Sequence, residues 1–142
     1  MTIIKATMDY ASSIALIESE SIEVPWTEKQ ILNAINNENY DFLVALEDGK
    51  VVGYVGIEWC LDEGNICNIA VKSEYRGRKI GENLVSNIIA LAKVNGAKTL
   101  FLEVNEHNIV AKNLYEKFDF LIYNIRKNYY KGANALCMKK QL

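Results

Sequence analysis

Tyr75-Arg76-Gly77-Arg78-Lys79-Ile80-Gly81 stands between a strand-like run, Asn65 to Val71, and an amphipathic stretch, Glu82 to Asn95. The later stretch puts Leu84, Val85, Ile88, Leu91 and Ala92 on one helical face, and Gly96 falls where a helix C-cap is expected. The turn carries three cations (Arg76, Arg78 and Lys79), two glycines, and no acid before Glu82. A helix N-terminus offers unpaired amides and about half a positive charge, and glycine lets backbone approach an anion closely. The turn therefore reads as a phosphate cradle, beside the plainer reading of a solvated basic loop. No lysine precedes Ser or Thr after a glycine loop, so it is not a P-loop, and its glycine spacing is not that of a dinucleotide-binding turn.

The pattern extends in both directions from this point. Upstream, Ile3 to Ala6 reads as a strand, and Asp9 offers an N-cap for a helix to about Glu20. A break covers Ser21 to Trp26, and the capping box Thr27-Glu28-Lys29-Gln30 then opens a helix to about Asn36. Phe42 to Leu46 and Lys50 to Trp59 read as strands joined at Glu47-Asp48-Gly49, with a further turn at Asp62-Glu63-Gly64. Downstream, Thr99 to Val104 is a strand, and Asn108 can cap a helix with Ala111, Leu114, Tyr115 and Phe118 on one face. Phe120 to Ile125 and Ala135 to Met138 are the last expected strands, joined by a polar, aromatic loop from Arg126 to Asn134. The expected fold class is α/β, a mixed six- to seven-stranded sheet with helices on both faces.

The chain has 142 residues, enough to bury a sizeable core, and one domain over residues 1–142 is expected because nothing resembles a linker or repeat. A net charge of -2 gives no general reason to expect nucleic acid or a membrane surface as a partner. Met1 to Lys5 lacks a signal-peptide pattern, and no apolar run approaches the roughly 18 residues of a membrane span. Cys60, Cys67 and Cys137 lie in strand-like stretches without CxxC spacing, and there is one histidine. They read as reduced core thiols of a cytoplasmic protein with no metal site. His107 reads as a surface histidine.

Asn68-Ile69-Ala70-Val71 followed by Tyr75 to Gly81 resembles the acetyl-CoA signature of the GNAT family of N-acetyltransferases. Arg76 and Gly81 match that signature, whereas Lys79 replaces its inner glycine. Pro25-Trp26-Thr27-Glu28-Lys29, Leu102-Glu103-Val104, Asn108, Leu114-Tyr115-Glu116 and Asn128-Tyr129-Tyr130 look like the ribosomal-protein-alanine N-acetyltransferase branch. Asp119 is a second departure, standing where the family has glycine in the segment after Leu-Tyr-Glu-Lys. Aspartate tolerates the left-handed backbone better than most residues.

The resemblance implies a GNAT fold, acetyl-CoA as acetyl donor, and an N-terminal peptide of a small-subunit ribosomal protein as acceptor. It implies that Ile69, Ala70, Val71, Arg76, Gly77, Arg78, Lys79, Ile80, Gly81, Glu82 and Asn108 hold the donor. It gives Glu103 the role of general base, acting through a water, and Tyr115 that of general acid. Trp26, Asn128, Tyr129 and Tyr130 would bind the acceptor peptide. Each residue also has a plainer reading: Glu103 as a solvated strand end, Tyr115 as a core aromatic, Asn108 as a helix cap.

Strand alternation sets Leu100, Leu102 and Val104 on one face and Phe101 and Glu103 on the other. An α-ammonium titrates at about 8 and a lysine at about 10.4, so at neutral pH the α-amine is roughly a hundred-fold richer in its reactive form. A glutamate base suits the α-amine better without excluding lysine. The alternatives are an acetyltransferase of the same fold acting on lysine or a small-molecule amine, and a non-catalytic acyl-CoA-binding module.

Overall fold

The computed structural model describes residues 1–142. In chain order the elements are β1 (Thr2–Lys5), α1 (Ala11–Ser21), α2 (Glu28–Ile35), β2 (Tyr40–Glu47), β3 (Lys50–Cys60), β4 (Glu63–Val71), α3 (Ile80–Val94), β5 (Thr99–Asn105), α4 (Ile109–Lys117), β6 (Leu121–Tyr130) and β7 (Ala133–Gln141). The seven strands form one sheet in the order β1-β2-β3-β4-β5-β7-β6, antiparallel except where β4 meets β5. This is the mixed α/β architecture that the sequence leads one to expect.

Local chemistry places the helix ends. Thr27 Oγ1 accepts from the Gln30 amide at 3.2 Å, while Gln30 Oε1 accepts from the Thr27 amide at 2.8 Å, closing the expected capping box. Asn108 Oδ1 accepts from the Ala111 amide at 3.1 Å at the start of α4. Gly96, with φ of 77°, ends α3, and the Gly96 and Ala97 amides bond back to the Lys93 and Ala92 carbonyls.

The sheet is sandwiched by alternation. Phe42 and Val44 of β2 face α1 and α2, packing with Ile14, Ile17 and Ile31. Leu43 and Ala45 face the other way, into a larger cluster with Leu84, Val85 and Ile88 of α3. Leu100, Leu102 and Val104 of β5 join that second cluster, and Glu103 points away from it.

Three expectations need correction. Asp9 does not cap α1, because Met8–Tyr10 forms a 3₁₀ turn and Tyr10 precedes the helix without a side-chain cap. Residues 126–134 are not a loop: β6 runs to Tyr130 and turns tightly through Lys131-Gly132 into β7. Asn128 takes φ of 56° within β6, a bulge that lets a polar segment stay in the ladder. The three cysteines are free but not all core thiols, since Cys137 is buried, Cys67 half-buried and Cys60 exposed.

Candidate active site

Strands β4 and β5 are in register only over Glu63–Thr99, Gly64–Leu100 and Asn65–Phe101. Gly56 of β3 pairs with Asn68 while Ile57 pairs with Ile66, so Cys67 is the extra residue of a bulge in β4. A bulge bends and twists its strand. Beyond it, the edge of β4 from Ile66 to Val71 has no strand partner on the β5 side. The divergence opens a cleft of about 1440 Å³ between β4, β5, α3, α4 and the hairpin of β6 and β7.

At one end of the cleft lies the basic turn. The first backbone bond of α3 runs from Asn83 to the Lys79 carbonyl, and no side chain caps the amides before it. The amides of Ile80, Gly81 and Glu82 are thus the usual unpaired donors of a helix start. Lys79 itself holds φ of 62° and Gly77 φ of 80°, which together fold the turn under the helix. Arg76 Nε donates to the Val71 carbonyl at 3.2 Å, tying the turn to the end of β4. Glu82 is paired with Lys117 of α4 at 2.7 Å, and that hydrogen bond holds its carboxyl below the usual range.

Toward the other end, Glu103 and Tyr115 line the same space. The Glu103 side chain keeps 31% of its surface and accepts from Arg126 Nη1 at 2.7 Å. The Arg126 guanidinium sits 4.8 Å from the centre of the Tyr129 ring, within cation–π range. Hydrogen bonding to Glu103, followed by the charge of that carboxylate, holds the Tyr129 phenol above its ordinary value. Burial, then the same charge, pushes Tyr130 up to about 12. Tyr115 is buried against Phe120, ring centres 5.9 Å apart, and desolvation raises its phenol well above the ordinary range. Every one of these phenols is therefore a neutral proton donor at neutral pH.

Of the expected site residues, Ile69, Ala70, Val71, Arg76, Gly77, Lys79, Ile80, Gly81, Glu82, Glu103, Asn108, Tyr115, Trp26, Tyr129 and Tyr130 all line this cleft. Arg78 does not, its guanidinium lying over Tyr75 at 5.0 Å. Asn128 does not either, its amide donating to Asn134 Oδ1 at 2.9 Å within the hairpin. Sequence reasoning missed Arg126 as the partner of Glu103. A signal was present, because extending β6 to Tyr130 would have brought a cation beside the strand bearing the acid. It also missed Glu58, Cys67 and Tyr123, which line the cleft from β3, β4 and β6.

Residues 8–120 match the model of the acetyltransferase (GNAT) family. The chain is 41% identical over 125 residues to a Bacillus subtilis protein provisionally named [ribosomal protein bS18]-alanine N-acetyltransferase, covering 86% of this chain and 83% of that protein. It is 38% identical over 114 residues to the [ribosomal protein bS18]-alanine N-acetyltransferase of Haemophilus influenzae, covering 80% and 77% of the two chains. The crystal structure of the ribosomal-protein-S18-alanine N-acetyltransferase from Escherichia coli superposes with a TM-score of 0.92 at 29% identity, over 99% of this chain and 92% of that one. With an open-edged β4, a basic turn before α3 and a match across most of its length, this chain belongs to the GNAT family of N-acetyltransferases.

Proposed function

We propose that this protein is an acetyl-CoA-dependent N-terminal acetyltransferase that modifies the α-amine of the alanine-led N-terminus of a small-subunit ribosomal protein. The observation that carries this reading is the meeting of Glu103 and Tyr115 on one cleft whose floor is the unpaired edge of β4. The names of its relatives point to the ribosomal substrate, which sets the reaction in the cytoplasm. Trp26, Tyr129 and Tyr130 supply apolar and hydroxyl surface for an extended peptide at the Glu103 end.

The residues fit the donor. Unpaired amides of Ile80, Gly81 and Glu82, with Arg76 and Lys79 beside them, suit a pyrophosphate. The backbone of Ile69 to Val71 offers donors and acceptors to an extended amide arm, and Asn108 lies on the same wall. Acetyl-CoA supplies the acetyl thioester. Glu103 would take up, through a water, the proton that the amine loses on acetylation. Tyr115 would hold the proton that the departing CoA sulfur needs when acetyl passes to the amine, so that the products are a thiol and an amide. Raised by burial, its phenol carries that proton across the whole neutral range. An amide on the open edge of β4 would be available to stabilise developing negative charge on the acetyl group, an effect worth about 10²- to 10³-fold elsewhere.

Acid and base groups of this kind contribute about 10²- to 10⁴-fold each. Glu103→Gln and Tyr115→Phe should each lower turnover by that order in a peptide acetylation assay while CoA affinity, read by titration, changes little. Unchanged turnover in both would remove the catalytic assignment and leave an acyl-CoA-binding module. Peptides with a free and a blocked α-amine separate the acceptor classes. Equal rates on the two would overturn the α-amine reading in favour of a lysine or another amine.

A further inference from the structure

Glu18 is the one charged side chain in the buried core, 1% exposed in the last turn of α1, and no ion pair includes it. A carboxylate there faces the negative end of the helix dipole, and burial without a cation is costly. The position is therefore a poor one for stability. What it gains is two donors from distant parts of the chain. The Tyr54 hydroxyl of β3 donates to Oε1 at 2.5 Å, and the Trp26 amide donates to Oε2 at 2.6 Å.

These bonds join the end of α1, the middle of the sheet and the far end of the connection between α1 and α2. Trp26 is held a second time by its ring, edge-on to Tyr40 and Phe42 with centres 6.2 Å and 6.5 Å away. Between the two anchors, Ile22, Glu23 and Val24 form one wall of the cleft, and Glu23 and Val24 are exposed. Tyr130 of the β6–β7 hairpin lines the same cleft, together with Glu103.

We propose that Glu18 is a positioning residue: it ties the connection 22–26 to β3 and so sets the width of the cleft where the acceptor enters. This rests on reading the Glu103 end as the acceptor end. Broken local rules concentrate where function overrides stability, and a buried carboxylate with no cation beside it, under a cleft wall, is such a place.

The tie has two readouts. One is steady-state kinetics with an alanine-led peptide. The other is native-state cleavage after Glu20 and Glu23 by a glutamate-specific protease, which needs no substrate. The double variant Glu18→Met/Tyr54→Phe keeps core volume and removes the carboxylate and its sheet anchor. It should raise the acceptor KM about ten-fold, with kcat and the acetyl-CoA KM within about two-fold, since misplacing a substrate wall costs binding before chemistry. Cleavage should accelerate about ten-fold as the wall opens locally. In Glu18→Gln the amide can accept from Trp26 and donate to the Tyr54 oxygen, so both readouts should return most of the way.

An unchanged acceptor KM with unchanged cleavage would overturn the proposal. So would a uniform fall in kcat, in both affinities and in melting temperature, the mark of a packing residue only. If the double variant does not fold, Glu18→Asp, whose shorter arm reaches one donor at a time, must move both readouts in the same direction or the proposal fails. If no peptide is acetylated but cleavage accelerates, the tie stands and the acceptor reading falls.

Discussion

Lys79 is an L-residue in the left-handed region, φ 62°, at the point where the family resemblance expects glycine. Such a backbone costs about 1 kcal/mol in a lysine, yet the side chain sets a cation beside the helix start. The two effects oppose one another, so Lys79→Gly should leave CoA affinity within a few-fold. Gly81 is different. A Cβ there would lie 3.5 Å from Leu114 and 4.0 Å from Val71, ordinary contact for alanine, but valine adds two more methyl groups at a position that lines the cleft beside the helix start. Gly81→Val should weaken CoA binding by about ten-fold or more, on the scale of core overpacking. Titration of both variants checks the ranking, and the reverse order would mean that the turn is read in the wrong register. Glu103, Tyr115 and Asn108 were legible as cleft residues because each sits in a short motif. Glu18 and Arg126 were not, because their partners lie 36 and 23 residues away. A buried glutamate on an apolar helix face looks, in sequence, like any solvated one.

At the level of elements, legibility followed locality. The capping box of α2, the asparagine cap of α4 and the glycine end of α3 are decided within a few residues, and all three form as expected. The hairpin of β6 and β7 is decided by pairing, and its charges and aromatics imitate a loop until the Asn128 bulge explains them. The end of α4 shows a tolerated departure. Asp119 holds φ of 68°, and the Asp119 and Phe120 amides bond to the Glu116 and Tyr115 carbonyls, the double bond of a Schellman end. The motif survives without glycine but carries backbone strain. Asp119→Gly should stabilise the protein by about 0.5 kcal/mol, the relief of left-handed strain partly offset by a more flexible unfolded chain. A shift of the urea midpoint at constant slope would report it; a loss of stability would mean that the aspartate side chain contributes more than the turn.

The whole molecule is two apolar layers around one sheet, and tyrosines are set into both: Tyr54 of β3 in one, Tyr115 of α4 in the other. Burial raises both phenols above the ordinary value of about 10, and Tyr130 reaches about 12. A raised folded value means that the unfolded chain loses those protons first. The stability that these groups contribute is complete below about pH 10 and is lost as pH rises toward the folded values. Urea unfolding should show a falling midpoint above about pH 10, with a shallower fall in Tyr130→Phe. A flat alkaline limb would contradict the placement of these rings. One last feature works at this scale. An unpaired strand edge is ordinarily a hazard, because any extended chain can add to it and start an aggregate. In β4 that edge lies inside the sheet order and within a cleft lined by α3, α4 and the hairpin, not on the outer rim of the sheet. The fold thus keeps a sticky seam off its rim: whatever pairs with that edge must first enter the cleft.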